Sequence, residues 1–181
     1  MSGAMAARGK ELGAIRGVVI GTLLLSLSWN TARADEALPA PQGAPVLVVS
    51  GGIAVANQDG KAVLDLAFLQ SLPKTSLTTE TPWTEGETRF EGVRVRDLLA
   101  RLGAEGRSVV ATGTDDYRIE IPITDFQDYD VLIAYRENGR PLRPDDKGPL
   151  WMIYPFSADP ALKKDIYFAR CVWQLTGLVV Q

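Results

Sequence analysis

The sequence predicts an α+β domain, a mixed sheet with short helices, and three observations predict it. Its β-branched and aliphatic runs are short. Two or three small amphipathic stripes stand between them. Gly and Pro, 17 and 11 in number, fall in the intervening stretches as turn residues.

In chain order, the first residues read as a leader. Arg8, Lys10 and Arg16 precede an apolar run from Gly17 to Trp29, and Ala32-Arg33-Ala34 follows. A positive start, a short apolar middle and an A-x-A site make a secretory signal peptide, with cleavage after Ala34. The run is shorter than the ~20 apolar residues a bilayer span needs. No Cys follows it to accept a lipid. The expected organisation is a signal peptide at 1–34, a flexible lead-in at 35–45 and one domain at 46–181, with the mature protein in the periplasm.

Within the domain, Val46 to Val49 is a continuous apolar strand closed by Gly51-Gly52. Asp65 caps a short helix through Leu66, Phe68, Leu69 and Leu72, which Pro73 ends. Thr75 to Thr81 is a half-exposed strand. From Val93 to Leu102 a helix sets Val95, Leu98, Leu99 and Leu102 on one face and Arg94, Arg96, Asp97 and Arg101 on the other, and Gly103 stops it. Ser108–Thr112 and Tyr117–Pro122 are strands, an acidic turn covers Thr124 to Asp130, and Val131–Tyr135 is a buried strand. Asn138-Gly139 is a hairpin turn before Pro141-Leu142. Leu150–Tyr154 and Ala169–Val180 supply the last strands, and alternation in the second puts Cys171 on one face with Trp173 and Leu175.

Composition excludes several chemistries. No His is present, which removes Ser-His-Asp and Cys-His catalysis and nearly all zinc chemistry. Cys171 is the single thiol, so no internal disulfide can form, and its setting is that of a buried small hydrophobe. Without the leader the chain carries 15 Lys and Arg against 21 Asp and Glu, a formal net charge of −6. That balance argues against a nucleic-acid partner, whose binding depends on clustered basic residues.

Five elements in order carry a resemblance. Phe90-Glu91-Gly92-Val93 precedes Arg96-Asp97-Leu98-Leu99, and Asp116-Tyr117 precedes Ile121-Pro122. Asn138-Gly139 comes with Pro141-Leu142, Gly148-Pro149-Leu150 with Tyr154-Pro155, and Trp173 closes the series. From Val46 onward the chain resembles the oxidoreductase molybdopterin-binding domain, the core domain of the sulfite oxidase family. The resemblance implies a sulfite oxidase-like α+β fold that holds a pterin carrying molybdenum. In catalytic members a Cys on the strand before the Phe-Glu-Gly-Val motif ligates the metal. Here that stretch, Thr75 to Trp83, has no Cys, and a neutral hydroxyl does not replace a soft thiolate. The leader also lacks the Arg-Arg pair expected of a protein exported with its cofactor inserted.

Both departures favour a binding protein over an enzyme, with a pterin as ligand rather than a catalytic molybdopterin. A periplasmic molybdopterin-dependent oxidoreductase is the alternative, and a redox-partner subunit a third reading. A pteridine needs an aromatic surface and an acceptor for its ring N–H groups. Trp83 in its turn-rich stretch, Asp116 with Tyr117, Lys147 before the Leu150–Tyr154 strand, Tyr154, Arg170 and Trp173 are the candidate contacts. The resemblance adds Lys163 and Lys164 as candidates for a pterin phosphate. Strict alternation sets Arg170 and Trp173 on opposite faces, so a shared site requires a bulge. Small exported proteins of this kind resemble partners of membrane-anchored signalling proteins. That implies a periplasmic sensor domain as partner, coupled to a cytoplasmic diguanylate cyclase or phosphodiesterase and thus to cyclic di-GMP.

Overall fold

The computed structural model describes residues 37–181; the leader and its cleavage site lie outside the described residues. Residues 37–44 carry no regular element but are tied to the fold. Leu38 is buried, and the Gln42 and Gly43 amides donate to the Asp65 carboxylate at 2.7 and 2.8 Å.

Two sheets organise the domain. The first joins β1 (Pro45–Gly51), β2 (Ala62–Asp65), β5 (Ser108–Gly113), β6 (Arg118–Pro122) and β10 (Leu175–Val180) in the order β2-β1-β10-β5-β6. β1 and β10 run parallel, with Val48 opposite Gly177; the other pairings among the described strands are antiparallel. The second sheet orders β3 (Thr75–Thr79), β4 (Thr88–Arg94), β7 (Leu132–Glu137) and β8 (Arg140–Pro141), and β9 (Trp151–Ile153) pairs with β7 beside β8. The helices are short: α1 (Leu66–Ser71), α2 (Val95–Arg101), α3 (Ile123–Asp128) and α4 (Asp165–Ala169). The mixed parallel and antiparallel pairing thus sits in the first sheet, and the α+β expectation holds.

The main core draws Leu47, Val49, Val109 and Leu178 from the first sheet, Val93, Ile133 and Met152 from the second, and Leu98 and Leu102 from around α2. A second cluster, Phe90, Leu132, Ala134, Trp151 and Ile153, covers the opposite face of the second sheet. From Leu132 to Tyr135 β7 is therefore apolar without alternation, because both of its faces are buried there.

Several expected elements shift. The helix begins at Val95 rather than Val93, because β4 continues to Arg94 and pairs it with Leu132. Gly92 permits that pairing at a register shift: a Cβ there would stand 2.0 Å from the Ile133 carbonyl oxygen. The acidic stretch expected as a turn forms α3, which buries Asp125 and Phe126. The strand expected over Ala169–Val180 starts only at Leu175. α4 occupies Asp165–Ala169, and Gln174, at φ +44°, breaks the extended run. Cys171 is accordingly buried while Trp173 is 42% exposed, so the expected strand alternation does not hold here. Asn138 and Gly139 both have positive φ and form the β7–β8 turn.

Candidate functional site

The broken run before β10 builds one wall of a cleft of ≈ 240 Å³. Phe168, Ala169, Cys171, Val172 and Trp173 line it on that side, and Trp83, Asp115 and Tyr117 complete it. Trp83 sits in the loop between β3 and β4. Its amide donates to the Thr81 hydroxyl at 3.2 Å, and that hydroxyl is 2.9 Å from the Thr84 hydroxyl. The Trp83 ring meets Trp173, Trp151 and Phe168 edge-on at centroid distances of 5.6, 6.0 and 6.1 Å. Edge-to-face contacts of this kind fix ring orientation.

Across the cleft, Tyr117 is 42% exposed and its hydroxyl donates to the Ala169 carbonyl at 3.0 Å. The Tyr117 amide donates to Asp115 Oδ1 at 3.3 Å, while Asp116 turns the chain at φ +60°. The carboxylate on the cleft is thus Asp115, and the expected Asp116 lies outside the lining residues. The signal that separates the two is the Asx turn: its first residue accepts from the amide two residues on.

Lys147 stands behind the aromatic wall. Its ammonium lies 5.5 and 5.6 Å from the Trp173 and Trp151 ring centroids and 3.0 Å from the Asp146 carboxylate. Trp151 is fully buried, and its indole N–H has no partner.

Tyr154 and Arg170 do not line the cleft. The Tyr154 hydroxyl donates to Asp125 Oδ2 at 2.6 Å, and Arg170 Nη1 donates to the same oxygen at 2.7 Å. Burial, and then the Asp125 carboxylate beside it, raise the Tyr154 pKa well above the ordinary phenol value, so the hydroxyl stays a donor. The Arg170 guanidinium lies over the Tyr167 ring at 5.3 Å. Lys163 pairs with Glu80 at 3.3 Å beside a neighbouring cavity of ≈ 210 Å³, and Lys164 is the exposed residue before α4. The structure therefore gathers Trp83, Tyr117 and Trp173, sets Lys147 behind them, and places Tyr154 and Arg170 in a separate buried network.

The donor set decides which part of a molybdenum-pterin group suits these residues. β3 ends at Thr79, fully buried, whose hydroxyl accepts from the Ser157 amide at 2.9 Å, while the Ser157 hydroxyl accepts from the Glu80 amide at 2.9 Å. The Cys171 thiol belongs to another segment, and burial pushes its pKa up to about 12, so it is a neutral thiol. These residues offer no soft thiolate to molybdenum. Among the described residues no group of three His, Cys, Asp or Glu side chains could hold a metal ion. The cleft itself suits the ring system: Trp83 and Trp173, perpendicular and in contact, would give it one aromatic wall to pack on, and Asp115 would accept from its N–H groups.

The domain is thus an α+β fold of two five-stranded sheets, with an aromatic cleft formed by the β3–β4 loop, the β5–β6 turn and the segment before β10. Residues 67–159 match the family described as the oxidoreductase molybdopterin binding domain, and the chain belongs to that family. It is 29% identical over 91 residues to a protein named "Uncharacterized oxidoreductase YuiH" from Bacillus subtilis (strain 168), which covers 49% of this chain and 46% of that one. The crystal structure of the sulfane dehydrogenase SoxCD from Paracoccus pantotrophus superposes with a TM-score of 0.57 over 74% of this chain and 37% of that one, at 19% identity. That likeness shows the sulfite oxidase-like fold. The chain spans less than half the length of either.

Proposed function

We propose that this protein binds a pterin in the Trp83–Trp173 cleft without a thiolate-held molybdenum, and acts as a binding module rather than an enzyme. The observation that carries the reading is the pairing of two features. The cleft keeps aromatic walls with a carboxylate at its rim, while the stretch from Thr75 to Trp83, where the family resemblance calls for a metal-binding Cys, has none, and Thr79 within it is committed to Ser157. Membership of a molybdopterin-binding family supports the pterin; the donor set speaks against the metal. Trp83 and Trp173, packed edge-to-face, flank the ring on one side, and Asp115 and Tyr117 orient its polar edge.

The same reading places the protein in the periplasm, on the strength of its leader-like first residues. There a pterin-occupied and an empty form would be told apart by the periplasmic domain of a membrane-bound diguanylate cyclase or phosphodiesterase. Trp173 and Tyr117, exposed at the rim, are where such a partner would sense occupancy.

The test is to purify the protein from the periplasm, release any bound small molecule by denaturation, and record pteridine fluorescence beside a molybdenum analysis. Pteridine without molybdenum is the expected result. Stoichiometric molybdenum would overturn it in favour of the oxidoreductase. Stacking on an aromatic side chain contributes about 1–3 kcal/mol, so Trp83→Ala and Trp173→Ala should each weaken pterin binding roughly tenfold or more in a fluorescence titration.

A further inference from the structure

Three segments of the cleft meet at Gln174. Its main-chain amide donates to the Lys147 carbonyl at 2.9 Å. Its side-chain nitrogen donates to the Pro144 carbonyl at 2.8 Å and the Asp146 carbonyl at 2.9 Å, and its side-chain oxygen accepts from the Thr114 hydroxyl. Both amide N–H groups and the amide oxygen are thus engaged, each with backbone or side chain distant in sequence. The residue adopts φ +44°, one of four non-glycine residues with positive φ among those described. The other three are Asp59, Asp116 and Asn138, types that tolerate this region; Gln is not such a type. A costly conformation at a fully satisfied side chain marks a position the surrounding structure over-determines.

The segments joined are those that carry the cleft. The 144–147 loop holds Lys147 behind the Trp173 ring, Thr114 opens the turn that presents Asp115 and Tyr117, and Trp173 is the adjacent residue. Removing the side chain would loosen the rim from the wall, leaving the Tyr117–Ala169 bond between them, and would leave both core clusters untouched, since Gln174 belongs to neither. We infer that Gln174 is a positioning residue: its amide sets the spacing between the Trp173 wall and the Asp115–Tyr117 rim, and so the fit of a planar ligand. The inference rests on the pterin reading for the identity of that ligand.

The experiment measures affinity for biopterin by tryptophan quenching, together with thermal midpoints, in Gln174→Gly, Gln174→Asn and Thr114→Val. Gly and Asn both accept positive φ, so either relieves the backbone while losing the reach to the two loops. The expected result is a thermal midpoint within a few degrees of wild type and affinity lowered at least tenfold by either change at 174, with a smaller loss, about threefold, in Thr114→Val. Affinity unchanged in Gln174→Asn would overturn the inference, because a merely structural role predicts that result. Should the wild type itself bind no biopterin, the pterin reading fails, and the clamp is read by hydrogen exchange instead. The Gly113, Asp146 and Gly148 amides are bonded inside these loops. Their joint acceleration in Gln174→Gly supports the clamp, and unchanged protection sinks it.

Discussion

Asp125 accepts from the Tyr154 hydroxyl and the Arg170 guanidinium at once, and the ion pair is buried, with 9% and 13% of the two side chains exposed. Replacing such a pair with apolar groups can be neutral, but removing one partner strands the other charge. Asp125→Ala should therefore cost about 3–5 kcal/mol, and Tyr154→Phe, which removes one hydrogen bond and leaves the ion pair, about 1 kcal/mol. Urea denaturation of both variants reads the difference. Neither residue lines the cleft, so the folded fraction of Tyr154→Phe should keep its pterin affinity; a tenfold loss there would restore Tyr154 as a ligand contact. Trp83 was legible in the sequence because a large aromatic among turn residues has few structural reasons to be there; Tyr117 was legible at the loop that opens a strand, and Trp173 through the family resemblance. Arg170 and Tyr154 were not, since their roles depend on Asp125, 45 and 29 residues away. Asp125 itself read as part of a solvated acidic turn.

At the N-terminus of α1 the Asp65 carboxylate accepts from the Phe68, Gly43 and Gln42 amides at 2.8, 2.8 and 2.7 Å. The Phe68 bond, then the Gly43 bond, hold its pKa below the ordinary 3.8. The folded state therefore favours the charged form. The stabilisation is complete above the unfolded value and is lost as pH falls through the lowered folded value. Urea midpoints measured from pH 7 down to about 2 should fall steeply below about pH 4 in the wild type. Asp65→Asn should be less stable at pH 7 and flatter in that acid range; an identical acid limb would remove Asp65 from the account. This cap, the apolar stripe of α2 and the Asn138-Gly139 turn are local signals, and the sequence displayed them. β2, β4 and α4 were not visible. β2 and β4 are defined by partners across the sheets, and α4 is a single short turn whose exposed Ile166 gives no apolar stripe.

The architecture as a whole depends on strands far apart in sequence. β10 is the middle strand of the first sheet, between β1 and β5, and it delivers Leu175, Leu178 and Val180 to the main core. A chain ending before Leu175 leaves β1 with β2 and β5 with β6 as separate hairpins, which are marginal alone. Such a truncation should show no cooperative thermal transition by circular dichroism, and a sharp melt in it would show that the second sheet and α2 suffice. The parallel pairing of β1 with β10 also has a temporal meaning. Its partners, Val48 and Gly177, are synthesised about 130 residues apart, on the order of ten seconds at ordinary elongation rates. For that interval Leu47 and Val49 have only β2 beside them in the first sheet. The nascent polypeptide thus carries an unfinished sheet over most of its synthesis, and that sheet closes only once β10 has emerged.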